Sequence, residues 1–175
     1  MAAGICSTDV CKITSKQIPH IKKALEEWED DIHKHICESV LDDPRILVAS
    51  YRITSIESTI EQKEGLVAFD LKRVIHGIAI YTLEDSSLYV NDLVISPRLL
   101  LSVPREQNGL GRKMMIQLYE TAKKVDGISQ LHLHAPADSW GFYRKLGMQE
   151  LEHVGGCIHF MQEIKPTLSP FVKEI

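Results

Sequence analysis

Three apolar, β-branched runs follow one another with almost nothing between them: Leu66–Asp70, Ile75–Leu83 and Leu88–Ser96. The links, Leu71-Lys72-Arg73 and Glu84-Asp85-Ser86-Ser87, have hairpin length, so a meander of three antiparallel strands is predicted. Pro97 stops the third strand, and Arg98–Asn108 reads as a loop. The periodicity then changes. From about Leu110 to Val125 the residues Leu110, Met114, Met115, Leu118 and Ala122 fall on one helical face, with Arg112, Lys113, Lys123 and Lys124 elsewhere. Asp126-Gly127 ends this helix. Leu131–Ala135 reads as a strand, Asp138–Leu146 as a short helix closed by Gly147, and Cys157–Ile164 as a last strand. A meander followed by helix, strand, helix, strand implies a mixed α/β (α+β) sheet with one crossover, not a regular doubly wound layout.

The N-terminal part is harder to read. Val10–Thr14 is extended in pattern, and Ser15 is the expected N-cap of a helix from about Lys16 to Val40. Ile18, Ile21, Leu25, Trp28, Ile32 and Ile36 give that helix its apolar stripe, and Pro19 stands where a first turn tolerates it. Glu29-Asp30-Asp31 reads as a solvated face. After Asp42-Asp43-Pro44, Ile46–Ser50 reads as a strand, and Thr54–Glu64 carries only weak signals.

At 175 residues the chain is expected to form one domain, residues 1–175, with a sizeable core. A hydrophobic fraction of 44% with 25% charged residues fits a soluble globular protein. The net charge of −4 argues against a nucleic-acid partner. No apolar stretch approaches the roughly 20 residues that span a bilayer, so no membrane partner is expected. Met1–Val10 lacks a basic segment followed by an apolar one, which makes a cytoplasmic location the expectation. The four cysteines, at 6, 11, 37 and 157, form no C-x-x-C pair and read as free thiols or core residues. Cys157, behind Gly155-Gly156, reads as a strand entry and not as a nucleophile.

The chemistry concentrates at Arg105-Glu106-Gln107-Asn108-Gly109-Leu110-Gly111-Arg112. Two glycines one residue apart at a helix N-terminus let backbone N–H groups converge on an anion, and the helix dipole favours a phosphate there. A Walker loop is excluded because Met114 follows Arg112-Lys113 where a Ser or Thr would hold Mg²⁺. A dinucleotide fingerprint is excluded because Met114 also stands where a third glycine is needed. A glycine turn that merely starts a helix is the plain alternative.

The neighbouring motifs decide between these. Ala137-Asp138-Ser139-Trp140-Gly141-Phe142-Tyr143-Arg144-Lys145-Leu146-Gly147-Met148 carries Phe-Tyr on a short helix, then Lys-Leu-Gly and an apolar residue entering a strand. It resembles the second signature of the GCN5-related N-acetyltransferases. Glu106 to Gly111 resembles their first signature, [QR]-x-x-G-x-[GA], with Glu106 in place of Gln or Arg. Leu88–Pro97 resembles the central strand that leads into it. The resemblance is clearest over residues 66–164. It implies the acyl-CoA N-acyltransferase fold, a central mixed antiparallel and parallel sheet flanked by helices.

It also implies transfer of an acetyl group from acetyl-CoA, as co-substrate, to a primary amine by direct attack. Gln107, Asn108, Gly109, Leu110, Gly111 and Arg112 are the implied pyrophosphate site, with charge added by Lys113. The main chain of Leu93, Val94 and Ile95 is implied to pair with the pantetheine arm and polarise the thioester, and Ser139 and Phe142 to line the cofactor site. Tyr143 matches the general acid for the leaving thiolate; packing on the cofactor or the core is its alternative role. Asp92 is the candidate base because strand alternation puts it on the face of Val90 and Val94, where desolvation raises a carboxylate's pKa. Its alternative role is to hold a loop by hydrogen bonds. No metal is expected. His132 and His134 share a strand face, from which they offer an alternative base acting on the amine through water, but they lack the acidic neighbour in sequence that a metal site needs; His33 and His35 point apart on their helix. The implied partners are acetyl-CoA and an amine acceptor; dimers are common in the family, so a homodimer is one of the oligomeric states the resemblance leaves open. A non-catalytic acyl-CoA-binding regulatory or interaction domain is the alternative, motivated by Glu106 and the long approach from Pro97.

Overall fold

Strands β2 (Glu64–Phe69), β3 (Ile75–Glu84) and β4 (Ser87–Ile95) lie side by side in chain order, as the short links require. Asp70 makes the first link, its Oδ1 accepting from the Lys72 and Val74 amides at 2.8 and 3.0 Å. The computed structural model describes residues 8–37, 44–102 and 109–165. Seven strands form one sheet in the order β1-β2-β3-β4-β5-β7-β6, with β1 spanning Asp9–Lys12, β5 Gln130–Pro136, β6 Gln149–Val154 and β7 Cys157–Glu163. β1 is antiparallel to β2. β4 and β5 run parallel, Ser87 opposite Gln130 and Val90 opposite Leu133, joined by the one expected crossover helix. β7 lies between β5 and β6 and is antiparallel to both.

The helices are α1 (Ile18–Cys37), α2 (Pro44–Thr59), α3 (Pro97–Ser102), α4 (Leu110–Lys123) and α5 (Trp140–Leu146), the last preceded by a 3-10 turn over Ala137–Ser139. By contacts the residues fall into two compact units, Met1–Ile80 with Asp92–Met114, and Tyr81–Asn91 with Met115–Ile175.

The first unit is built on two helical stripes. α1 buries Ile21, Leu25, Trp28 and Ile32, and α2 buries Ala49, Ile53 and Ile56, with Ile60 just beyond its end. Both pack with Val67, Ile78, Ile80 and Val94 of the strands. Gly77 lets α4 come close: a Cβ there would stand 2.6 Å from Met114 Sδ and 3.2 Å from Ile95 Cδ1. The second unit buries Leu118, Tyr119 and Ala122 of α4 and Leu131, Leu133, Ala135, Ile158 and Phe160 of the strands. α5 ends as expected, at Gly147 with φ 82, where the Gly147 amide donates to Arg144 O and the Met148 amide to Tyr143 O.

Five expectations need correction. Ile46–Ser50 is not a strand: it belongs to α2, which also takes in most of the weakly patterned stretch after Thr54. Its β-branched residues mimic strand composition, but Ala49, Ile53, Ile56 and Ile60 keep helical spacing, and burial of that stripe decides the outcome. Ser15 is not the N-cap, because α1 begins at Ile18 after a turn in which Gln17 Oε1 accepts from the Thr14 amide at 2.8 Å. Asp31 is no part of a solvated face. It is 7% exposed and takes a two-pronged bond from Arg98, 2.6 and 2.9 Å long. The start of the expected Arg98–Asn108 loop is helix α3, with Pro97 at its first position and Ser96 Oγ accepting from the Leu99 amide. Finally, β6 is a strand that the sequence reading did not place, and every residue of it is exposed.

Candidate active site

Asp92 and Asp31 are the two buried carboxylates among the described residues. Asp92 is 8% exposed, between buried Val90 and Val94 on the inner face of β4, as alternation predicted. Burial pushes its pKa up; the hydroxyl of Ser55 and the charges of Arg52 and Lys63 pull the other way without reversing the shift. Ser55 donates to Asp92 Oδ2 at 2.8 Å. One helical turn earlier, Arg52 Nη1 donates to the carbonyl of Leu93 at 3.1 Å. α2 thus holds a side chain and the main chain at consecutive positions of β4. Neither contact stands out in the sequence, because the helix that carries them reads there partly as strand; the i, i+3 spacing of Arg52 and Ser55 beside an apolar helical stripe was the available signal.

Of the rest of the expected cofactor-binding set, Leu93, Val94, Ile95, Gly109, Leu110, Gly111 and Arg112 belong to the same unit as Asp92. Leu93, Val94 and Ile95 end β4, and the Ile95 and Leu110 side chains both reach Gly77. Gly109 is exposed and has φ 59, a left-handed conformation that glycine adopts without strain. The first helical bond of α4 runs from the Lys113 amide to Gly109 O at 3.1 Å, so the positive end of the helix lies at Gly109–Arg112. Arg112 is exposed. Lys113 turns elsewhere, its Nζ donating to Thr8 Oγ1 at 3.4 Å. Leu100 packs against the α1 and α2 core. Gln107, Asn108 and Glu106 lie outside the described residues.

Tyr143, Phe142 and Ser139 belong to the second unit. Tyr143 is buried, edge-on to Phe142 at 4.9 Å and tilted against Phe160 at 5.5 Å. Ser139 Oγ donates to Pro136 O at 2.9 Å, and Trp140 Nε1 donates to Ala135 O at 2.8 Å, which anchors the start of α5 on the end of β5. Cys11 and Cys157 are free thiols, and Cys157 opens β7 as expected. His33 is exposed, in keeping with a surface role. His132 is buried, whereas His134 is exposed.

No protein-family model matches the sequence, and no curated protein does. Solved structures do match in fold. A GNAT-family acetyltransferase from Listeria monocytogenes is 14% identical, with a TM-score of 0.63 over 93% of this chain and 98% of that one. The paia N-acetyltransferase from Thermoplasma acidophilum, crystallised with coenzyme A, is 16% identical, with a TM-score of 0.57 over 90% and 99%. Tetrahymena GCN5 is 14% identical, with a TM-score of 0.57 over 92% and 99%. The mixed seven-stranded sheet flanked by helices is the acyl-CoA N-acyltransferase fold of these proteins.

Proposed function

We propose that the protein is an acetyl-CoA-dependent N-acetyltransferase acting on a primary amine. The observation that carries this reading is the sequel to β4. The strand bearing a buried carboxylate with a raised pKa is followed by a left-handed glycine that opens a helix, in a fold shared with N-acetyltransferases. Acetyl-CoA fits that sequel: pyrophosphate at the Gly109–Arg112 helix end, and the amide-bearing pantetheine arm along Leu93–Ile95.

The chemistry asked of the residues is modest. An alkylamine is mostly protonated at neutral pH and must lose a proton before it attacks. Asp92, its proton affinity raised by burial, is assigned that proton. The nitrogen then bonds to the thioester carbon, a main-chain N–H at the β4 end stabilises the oxyanion, the nitrogen gives its second proton to solvent, and the C–S bond breaks. The thiolate takes a proton from the phenol assigned as acid, Tyr143, which regains one from solvent.

The test is a panel of amine acceptors with detection of released CoA thiol. Turnover with at least one acceptor is expected. Tyr143→Phe should lower kcat by about 10²-fold while leaving the acetyl-CoA dissociation constant nearly unchanged. Unaltered turnover removes Tyr143 from its role. Acetyl-CoA binding with no CoA release across the panel overturns the catalytic reading in favour of a binding domain.

A further inference from the structure

The second unit holds a row of side chains that acetyl transfer does not use. His134 of β5, His159 of β7 and Glu152 of β6 occupy directly opposed positions on three neighbouring strands. Opposed residues on antiparallel strands have Cβ atoms about 4.5–5.5 Å apart, so the backbone register itself brings the three together. The register depends on an irregularity. Between Glu150 and Glu152 the β6–β7 pairing shifts by one residue, which seats Glu152 opposite His159 and leaves Leu151 out. Bulges of this kind re-aim a side chain.

We propose that His134, Glu152 and His159 bind a divalent transition-metal ion, Zn²⁺ foremost. Each offers one ligand atom, and these atoms lie within 4.8 Å of one another. Two imidazoles and a carboxylate form a recognised zinc donor set, with water completing the tetrahedron. Around zinc the donor atoms stand roughly 3.4 Å apart. His159 Nδ1 and Glu152 Oε1 are already 3.5 Å apart, and exposed His134 closes the triangle by side-chain rotation.

The hydrogen bonds behind the row supply a second, independent argument. Gln130 Oε1 lies 2.9 Å from His132 Nε2, and an amide oxygen only accepts, so that nitrogen carries the hydrogen. His132 Nδ1 is then the acceptor, and His159 Nε2 donates to it across 2.8 Å. His159 Nδ1 is left with a lone pair, and it faces a carboxylate oxygen. With the Gln130 amide in this orientation two acceptors face each other, and a cation between them satisfies both. A metal-bound histidine characteristically gives its other N–H to a fixed acceptor, which is the part His132 plays. Tyr89, opposite His132 on β4, stacks on its ring at 5.0 Å and fixes its plane.

The inference is independent of acetyl transfer, and its test reads binding directly. The full chain, stripped with chelator, is titrated with Zn²⁺ by calorimetry, and its melting is followed with and without the ion. One saturable Zn²⁺ per chain and a raised melting temperature are expected. His159→Ala should abolish both effects. Glu152→Gln, on a side chain 61% exposed and so harmless to folding, should weaken binding at least tenfold. Gln130→Ala, which touches no ligand atom of the ion, should weaken it by about ten- to a hundredfold through the freed His132. His153→Ala, on the other face of β6, should leave it unchanged. Absence of saturable binding, or binding unaltered by both Glu152→Gln and His159→Ala, overturns the proposal.

Discussion

Asp92 and the histidine row show two opposite ways of making a side chain reactive. Asp92 is a lone carboxylate between aliphatic neighbours, with one hydroxyl on its oxygen. His134 and Glu152 are exposed and crowded beside His159. Isolation in an apolar setting raises the affinity for a proton, because the charged form loses its hydration. Crowding of acceptors in the open raises the affinity for a cation, because hydration is kept while lone pairs converge. The first setting suits a group that moves protons, and the second a group that holds an ion.

The sharpest way to break this contrast is Asp92→Asn. If Asp92 is the base, kcat/KM falls by about 10²- to 10⁴-fold, and the acid limb of its pH profile, expected above the ordinary aspartate range, disappears. Stability should move the other way. A carboxyl whose folded pKa lies above its unfolded value costs stability as pH rises through that window, and the full cost persists above it. At neutral pH the Asn variant should therefore melt no lower than the parent while turning over more slowly. A lower melting temperature with an intact rate would assign Asp92 to structure alone.

Next in size is Ile53→Ala. Ile53 is fully buried on the α2 stripe, and its truncation should cost about 2–5 kcal/mol in denaturant unfolding. Zinc binding per folded chain should not change, since the row lies in the other unit. Equal damage to both properties would show that the two regions are not energetically separate.

The smallest effect belongs to Ser55→Ala. It removes the hydroxyl that favours the charged carboxylate, so the Asp92 pKa rises further and the acid limb shifts to higher pH. The stability change should be about 1 kcal/mol. An unmoved limb would separate the pH dependence from Asp92.

Where local pattern and tertiary burial agree, the sequence is readable. The β2–β4 meander, α4, the Gly147-capped α5 and β7 fall near their expected places because each combines a clear period with turn residues at its ends. α2 was not readable as a helix because Ile46, Val48, Ile53, Thr54 and Ile56 favour strands locally, and only packing against α1 overrides them. β6 was missed for the opposite reason: with all of Gln149–Val154 exposed, no alternation marks it. Asp92 on the buried face of β4 was predictable from period-two alternation, whereas its partners Arg52 and Ser55 were hidden in the misread helix. The histidine row was invisible because its members lie on three strands, and the argument against a metal rested on the lack of a local acid that β6 supplies in space.

The two-point grip of α2 on β4 makes the basicity of Asp92 adjustable. Arg52 holds the Leu93 carbonyl and Ser55 holds the carboxylate, so one small displacement of a single helix loosens both at once. Such a shift strips a donor from the carboxylate and raises its appetite for a proton, while releasing a main-chain oxygen for an incoming amide.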